Sequence, residues 1–386
     1  MKVAVYSHTL APSGAELALS RTAPQLQAQG IDLTVIHGDD GPLRERLLAD
    51  GITLRPATLP PSLLHARRNA GPGAIARLAV SYVRYVLRLS RTLRQERFDL
   101  VHANSLKSAL LVSGAARLAG IPVVWHMRDR FTEDYLGGRA AVIRALCRWS
   151  SAGVVANSQS TLATLGRFDK PAGVAYSPLS EDVRFRERPR RPGPLRVAMI
   201  GRIAPWKGQL QVVRALAMVP GSWSTAVFAG GALFGEDEYA DEVAAEIRGR
   251  GLQDRIVLAG HVDDPGRLLD EADVLVHASV IPEPLGQVVI EGVAAGLPVC
   301  ASRAGGPAEI LEDGVTGLLH EPGDVSGLAR HIERLAEDVQ LRAALVAGGR
   351  PLVACFSSRR SAQSIIAVWS EVRAGRRPRA DVARRW

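Results

Sequence analysis

Short apolar runs alternate along this chain with longer segments whose apolar positions recur at helical spacing. That alternation marks βαβ units and hence a parallel sheet. A first series places strands at residues 2–7, 32–37, 100–103, 123–126, 154–157 and 173–176, with helices at 16–29, 105–119 and 140–150 between them. Pro178, Pro189, Pro192 and Pro194 then crowd a charged stretch that continues neither a helix nor a central strand. A second series follows, with strands at 195–200, 226–228, 256–258, 274–277, 299–301 and 317–319 and helices at 209–219, 238–248, 285–295 and 325–337. A last helical pattern at 359–373 comes after every strand and is placed to pack back on the first series.

The pattern predicts an α/β protein of two Rossmann-like domains: 1–180, a linker 181–194, and 195–358, followed by a returning helix 359–374 and a basic tail 375–386. A length of 386 residues exceeds what one core usually supports, so a cleft between two parallel sheets is expected. With 47% hydrophobic and 23% charged residues, each half can bury a core. The net charge of +9 gathers at 184–191 and 373–379, and no nucleic-acid-binding motif accompanies it. Nucleic acid is therefore not an expected partner. Met1-Lys2 leads straight into the strand-like Val3-Ala4-Val5-Tyr6, and no apolar run reaches the roughly 18 residues of a spanning helix. The cytoplasm is the expected compartment. Cys147, Cys300 and Cys355 lack the spacing of a disulfide framework or a metal site and read as buried small residues. Residues 74–97 form a basic amphipathic pattern, with Ile75, Leu78, Tyr82, Val86, Leu89 and Leu93 on one side and Arg77, Arg84, Arg88 and Arg91 on others. Two readings stand: a core-packing helix with a solvated basic face, or peripheral contact with the inner membrane face.

Candidate chemistry concentrates in the second series. The strand at 195–200 runs into Gly201-Arg202-Ile203 and then Trp206-Lys207-Gly208, placing two cations where doubly wound sheets bind ligands. Arg202 and Lys207 can clamp a diphosphate and stabilise charge on a departing nucleotide. After the strand at 274–277 comes Glu283-Pro284-Leu285-Gly286-Gln287-Val288-Val289-Ile290-Glu291. The amides of Leu285, Gly286 and Gln287 at a helix start suit an anion. Glu283 either faces a ligand or simply caps the helix, while Glu291, inside an apolar helix, needs a partner. Gly305-Gly306-Pro307-Ala308-Glu309 opens a further helix.

These three segments, in this order, resemble the retaining glycosyltransferases of family 4, which have the GT-B fold. The resemblance implies that Gly201, Arg202 and Lys207 hold the donor diphosphate and Glu291 the ribose hydroxyls. Glu283 would contact the sugar hydroxyls, the backbone of Leu285, Gly286, Gln287 and Val288 would contact sugar and phosphate, and Val262 would lie by the base ring. In the first series, Ser13-Gly14-Ala15-Glu16 resembles the family's glycine-rich loop, with Ser13 where many members carry glycine. Gly14 then faces donor phosphate, and Ser13, Glu16 and Asn104 face acceptor. His126 matches a histidine that reaches the donor sugar in relatives, although a strand-end histidine is also a common structural residue. Arg128 and Asp129 either bind acceptor or pair with each other.

The implied activity is transfer of a hexose or N-acetylhexosamine from a nucleotide diphosphate, UDP favoured, to a hydroxyl acceptor with retention and without a metal or other cofactor. Electrostatics from Arg202, Lys207, His126 and Glu283 would carry the chemistry. The acceptor is a small molecule, a glycan or a lipid-linked carrier. The carboxylates Asp39-Asp40, Glu236-Asp237-Glu238 and Asp263-Asp264 offer a metal-dependent reading that loop carboxylates commonly mimic. A sugar-nucleotide epimerase and a non-catalytic sugar-nucleotide-binding protein remain as alternatives, separable by product analysis with and without acceptor.

Overall fold

A computed structural model describes residues 1–64, 72–180, 183, 185–187, 193–233, 235–262 and 264–375. Asp263, most of the basic run at 184–191 and the tail beyond Gly375 lie outside the described residues. The chain divides into two compact units, Met1–Ser180 with Ser357–Trp386, and Glu181–Phe356.

In the first unit, β1 (Lys2–Ser7), β2 (Asp32–His37), β3 (Thr53–Pro56), β4 (Leu100–Ala103), β5 (Val123–Met127), β6 (Gly153–Ala156) and β7 (Ala172–Val174) form one sheet. Its order is β3-β2-β1-β4-β5-β6-β7 and all pairings are parallel. The order reverses at β1 and β4, the switch point at which such sheets place ligands beyond the strands' carboxyl ends. Helices cover both faces, which is why β1 reads as an unbroken apolar run: Val3 and Val5 enter one core, Ala4 and Tyr6 the other. β3 escapes the sequence pattern because it is an edge strand, exposed at Thr53, Arg55 and Pro56, and proline is tolerated there. The helix Ser358–Arg373 packs on Gly14–Ala28 and on β6 and β7, burying Trp369 fully. The helix Pro72–Glu96 buries Tyr85, Val86, Leu89 and Leu93 and leaves Arg77, Arg84, Arg88 and Arg91 exposed.

The second unit contains β8 (Leu195–Ile200), β9 (Trp223–Ala229), β10 (Ile256–Gly260), β11 (Val274–His277), β12 (Val299–Ser302) and β13 (Leu318–His320). They form a parallel sheet in the order β10-β9-β8-β11-β12-β13, with its own reversal at β8 and β11. The helices Gln209–Met218, Asp237–Gly249 and Val325–Glu337 close one core around Val197, Met199, Trp223, Phe228 and Ile332. Among the described residues one stretch, Val339–Phe356, is long and apolar enough to cross a membrane, with mean hydropathy 1.2 over 18 residues. This corrects the expectation that no run has that length. The stretch holds a buried Arg342 and changes from α-helix to 3-10 turn at Arg350, just before Pro351.

Candidate functional site

In the second unit, β8 ends at Ile200 and the chain turns through Gly201, Arg202 and the 3-10 segment Pro205–Lys207 into Gly208. Gly208 has φ +79°, and a Cβ there would sit 2.1 Å from the Ala278 carbonyl oxygen. Only glycine lets this turn seat against the end of β11. The seating brings Lys207 Nζ to 2.5 Å from Glu283 Oε1, with both side chains largely buried. The second carboxylate oxygen receives His277 Nε2 at 2.5 Å and Ser279 Oγ at 3.0 Å. Burial alone would raise the Glu283 carboxyl, but Lys207 and His277 outweigh it and hold the group well below the usual carboxylate range. Glu283 is therefore an ionised acceptor with both oxygens occupied.

The third segment joins at the backbone. Gly305 forms an isolated parallel bridge with Glu283, and Gly306 N donates to the Glu283 carbonyl at 2.8 Å. The three segments singled out from the sequence thus meet at Glu283.

Arg202 pairs with Glu236, Nε to Oε2 at 3.0 Å, and its guanidinium lies 5.6 Å from the Trp206 ring centre. Lys207 Nζ lies 4.5 Å from the same ring. A cavity of about 240 Å³ opens beside Arg202 at the carboxyl ends of β8 and β9, lined also by Gly201, Gly230, His261 and Val262. The expected helix start is corrected: the helix begins at Gln287 rather than Leu285, because Gly286 takes φ +78° with Pro307 against it. Pro284 and Leu285 are loop residues, and the helix-opening amides are those of Gln287 and Val288. Both side-chain amide atoms of Gln287 are buried with no hydrogen-bond partner among the described residues. Glu291 is half-buried on that helix. Three of the carboxylates that suggested a metal have protein partners: Glu236 pairs with Arg202, Asp264 caps Pro265–Glu271, and Asp40 pairs with Arg44.

In the first unit, β1 leads to Ser13 and the helix Gly14–Ala28. Ser7 Oγ donates to Glu16 at 3.0 Å and Ser13 Oγ donates to its other oxygen, leaving Glu16 1% exposed. Asn104, equally buried, donates to the Ala15 carbonyl at 3.1 Å and accepts from Arg128 Nη2 at 3.1 Å. Arg128 also donates to the Asn104 carbonyl and to Ser177 Oγ. Of the residues expected on the acceptor side, Glu16 and Asn104 are buried and hydrogen-bonded within this unit, and Arg128 is half-buried and bonded to Asn104 and Ser177. Burial lowers Arg128 to about 10 and raises Asp129.

His126, at the end of β5, is 3% exposed. Its Nδ1 meets His102 Nε2 at 3.1 Å and Arg128 Nη2 at 3.4 Å. His102 Nδ1 in turn accepts from Trp369 Nε1 at 3.0 Å. Burial, reinforced by Arg128, lowers His102 to about 3 and lowers His126 well below the ordinary histidine range. Sequence reasoning missed His277, Ser279, His102 and Trp369, and it considered Glu236 only as a metal ligand, not as the partner of Arg202. His277 closes a strand just as His126 nearly does, a signal within reach; nothing local marks Trp369.

Two doubly wound parallel sheets with buried polar groups beyond their strand ends define a protein built from paired Rossmann-like, ligand-binding units. Residues 181–351 match the family described as Glycosyl transferases group 1, and residues 12–176 match Glycosyltransferase Family 4. The chain is 35% identical over 162 residues to the lipopolysaccharide core biosynthesis glycosyltransferase LpsE of Rhizobium meliloti, covering 42% of this chain and 45% of that protein. It therefore spans less than half the length of that relative. It is 28% identical over 268 residues to the 2-deoxystreptamine glucosyltransferase of Streptomyces kanamyceticus, covering 62% and 67%. Among solved structures, Anabaena HepE in complex with UDP aligns at 28% identity and a TM-score of 0.79, covering 96% of this chain and 100% of that one. HepE in complex with UDP-glucose aligns at 27% and 0.79, covering 96% and 99%. The chain belongs to the family 4-type glycosyltransferases of the GT-B fold.

Proposed function

We propose that the protein transfers a hexose or N-acetylhexosamine from a nucleotide diphosphate, UDP favoured, to a hydroxyl acceptor, with retention of configuration and without a metal. The convergence of three ordered segments on Glu283, with Lys207 beside it, carries this reading. The complexes of HepE with UDP and UDP-glucose support the choice of nucleotide. Arg202 and Lys207 stabilise the departing diphosphate together with the amides of Gln287 and Val288, an arrangement whose individual donors are worth about 10²–10³ in rate. Glu283 accepts from the sugar hydroxyls, Glu291 from the ribose, and Val262 borders the base. The bond from the anomeric carbon to the diphosphate breaks as the acceptor oxygen arrives on the same face, and a diphosphate oxygen takes the acceptor proton.

The test is a panel of nucleotide sugars with and without hydroxyl acceptors. Acceptor-dependent release of UDP with a new glycoside is expected. An isomerised sugar nucleotide formed without acceptor makes the protein an epimerase, and tight binding without turnover makes it a binding protein.

The acceptor is proposed to be lipid-linked and met in the cytoplasm at an anionic membrane surface. The outward face of Pro72–Glu96 supports this: Val80, Val83 and Leu87 are about half exposed among Arg84, Arg88 and Arg91. Trp149 is exposed on another helix, with Arg117 over its ring at 4.7 Å. Such a face suits anionic headgroups and the acyl boundary. Co-sedimentation with phosphatidylglycerol but not phosphatidylcholine vesicles is expected, lost when Arg84, Arg88 and Arg91 become Glu; equal recovery with both lipids rejects it.

A further inference from the structure

We propose that Trp369 and His102 are positioning residues that fix His126 in the tautomer carrying its proton on Nε2, so that His126 acts as a hydrogen-bond donor to the transferred sugar and not as a base. The argument starts from which atoms can only donate. An indole N–H has no lone pair to offer, and a guanidinium has five donors and no acceptor. Trp369 Nε1 lies 3.0 Å from His102 Nδ1, so that nitrogen accepts. A neutral ring carries one proton, and in His102 it is therefore on Nε2. That proton points to His126 Nδ1 at 3.1 Å. Arg128 Nη2, donor-only in its own right, reaches the same Nδ1 at 3.4 Å. Two independent donors thus require the lone pair of His126 to be on Nδ1, and its single proton to be on Nε2.

Both rings stay neutral because burial disfavours the cation and Arg128 adds repulsion. His126 Nε2 is itself buried and has no partner among the described residues. A buried N–H without an acceptor is rare in native structures. The missing acceptor is an oxygen, and a sugar hydroxyl at the end of β5 satisfies it; this last step rests on the proposed nucleotide-sugar reading. The arrangement also gives the closing helix Ser358–Arg373 a role beyond packing, since its one indole N–H sets the chemistry of a ring 243 positions earlier, 369 − 126.

The experiment is nitrogen-15 NMR of the full chain labelled at histidine, followed by kinetics. In the parent protein His126 is expected to show a protonated Nε2 and an unprotonated Nδ1 throughout pH 6–8. UDP-glucose is expected to shift the Nε2 resonance. Trp369→Phe keeps the ring's bulk and removes the donor; the His102 and His126 signals are expected to move towards mixed tautomers, with kcat lower by about tenfold and KM for donor little changed. His102→Gln, which can still donate to His126, is expected to retain most activity, whereas His102→Leu loses as much as Trp369→Phe. A proton found on His126 Nδ1, or unchanged spectra and kcat in Trp369→Phe, overturns the relay. Should the tautomer stand while UDP-glucose neither shifts the resonance nor turns over, the relay survives and the substrate reading fails.

Discussion

β4 and β11 hold the same place in their two sheets, each beside the strand that opens its unit, and each carries a buried histidine. His102 is 3% exposed and His277 is 4% exposed, so the two rings are equally buried. Their partners differ. His277 Nε2 donates to an ionised Glu283 that Lys207 also holds. His102 sees no carboxylate in its hydrogen bonds; it accepts from Trp369 and donates to His126. One histidine completes a charged cluster and the other passes a donor along a neutral chain. Topology therefore supplies a buried ring at the ligand end of the sheet, and neighbouring chemistry decides its task.

The charged cluster should be the harder to disturb without loss. Lys207→Met leaves Glu283 buried with only His277 and Ser279 as side-chain partners; transfer is expected to fall by about 10³ and stability by roughly 3 kcal/mol. Acceptor-dependent UDP release and urea unfolding measure the two, and a near-parental rate would remove Lys207 from the diphosphate site. His126→Phe removes one neutral donor, and we expect kcat to drop about 10²-fold with the urea midpoint almost unmoved. If UDP affinity collapses along with kcat, the neutral chain is structural and the contrast with the charged cluster is lost. Glu291→Ala is expected to weaken UDP binding about tenfold by calorimetry, and unchanged affinity takes Glu291 out of the ribose site.

The smallest effect separates the two regions by pH. His102 and His126 have folded values below the ordinary 6.5, so the unfolded chain binds their protons first. Their contribution to stability is full above pH 6.5 and is lost as pH falls from there towards about 3 for His102. Glu283 is depressed below the ordinary 4.5, so its contribution is full above pH 4.5 and lost only under stronger acid. His102→Gln should therefore flatten the stability profile between pH 6.5 and 4.5 by about 1.4 kcal/mol per pH unit. Glu283→Gln should change the slope only below pH 4.5. Urea midpoints across pH 4–8 decide it; a Glu283→Gln effect on the slope at pH 6 would mean that the carboxylate and the histidines titrate together.

The sequence by itself determined the parallel architecture and many of its strands. Residues 2–7, 32–37, 100–103, 195–200 and 274–277 are strands with those bounds, because a strand covered on both faces reads as an unbroken apolar run. It also determined the local chemistry of the Gly201–Gly208 turn and of the segment from Glu283 to Glu291, where spacing alone places charges near a strand end. What the pattern of burial does not encode is partnership across the fold. The Lys207–Glu283 pair closes over 76 positions and the Trp369–His102 bond over 267, and no periodicity marks either. The bonds from Ser7 and Ser13 to Glu16 are equally invisible in the pattern, since a polar residue after a strand looks alike whether it faces a ligand or a neighbouring hydroxyl. Only the tertiary structure decided which donors and acceptors meet, because a hydrogen bond depends on two atoms within about 3 Å and the chain's local pattern reports one of them at a time.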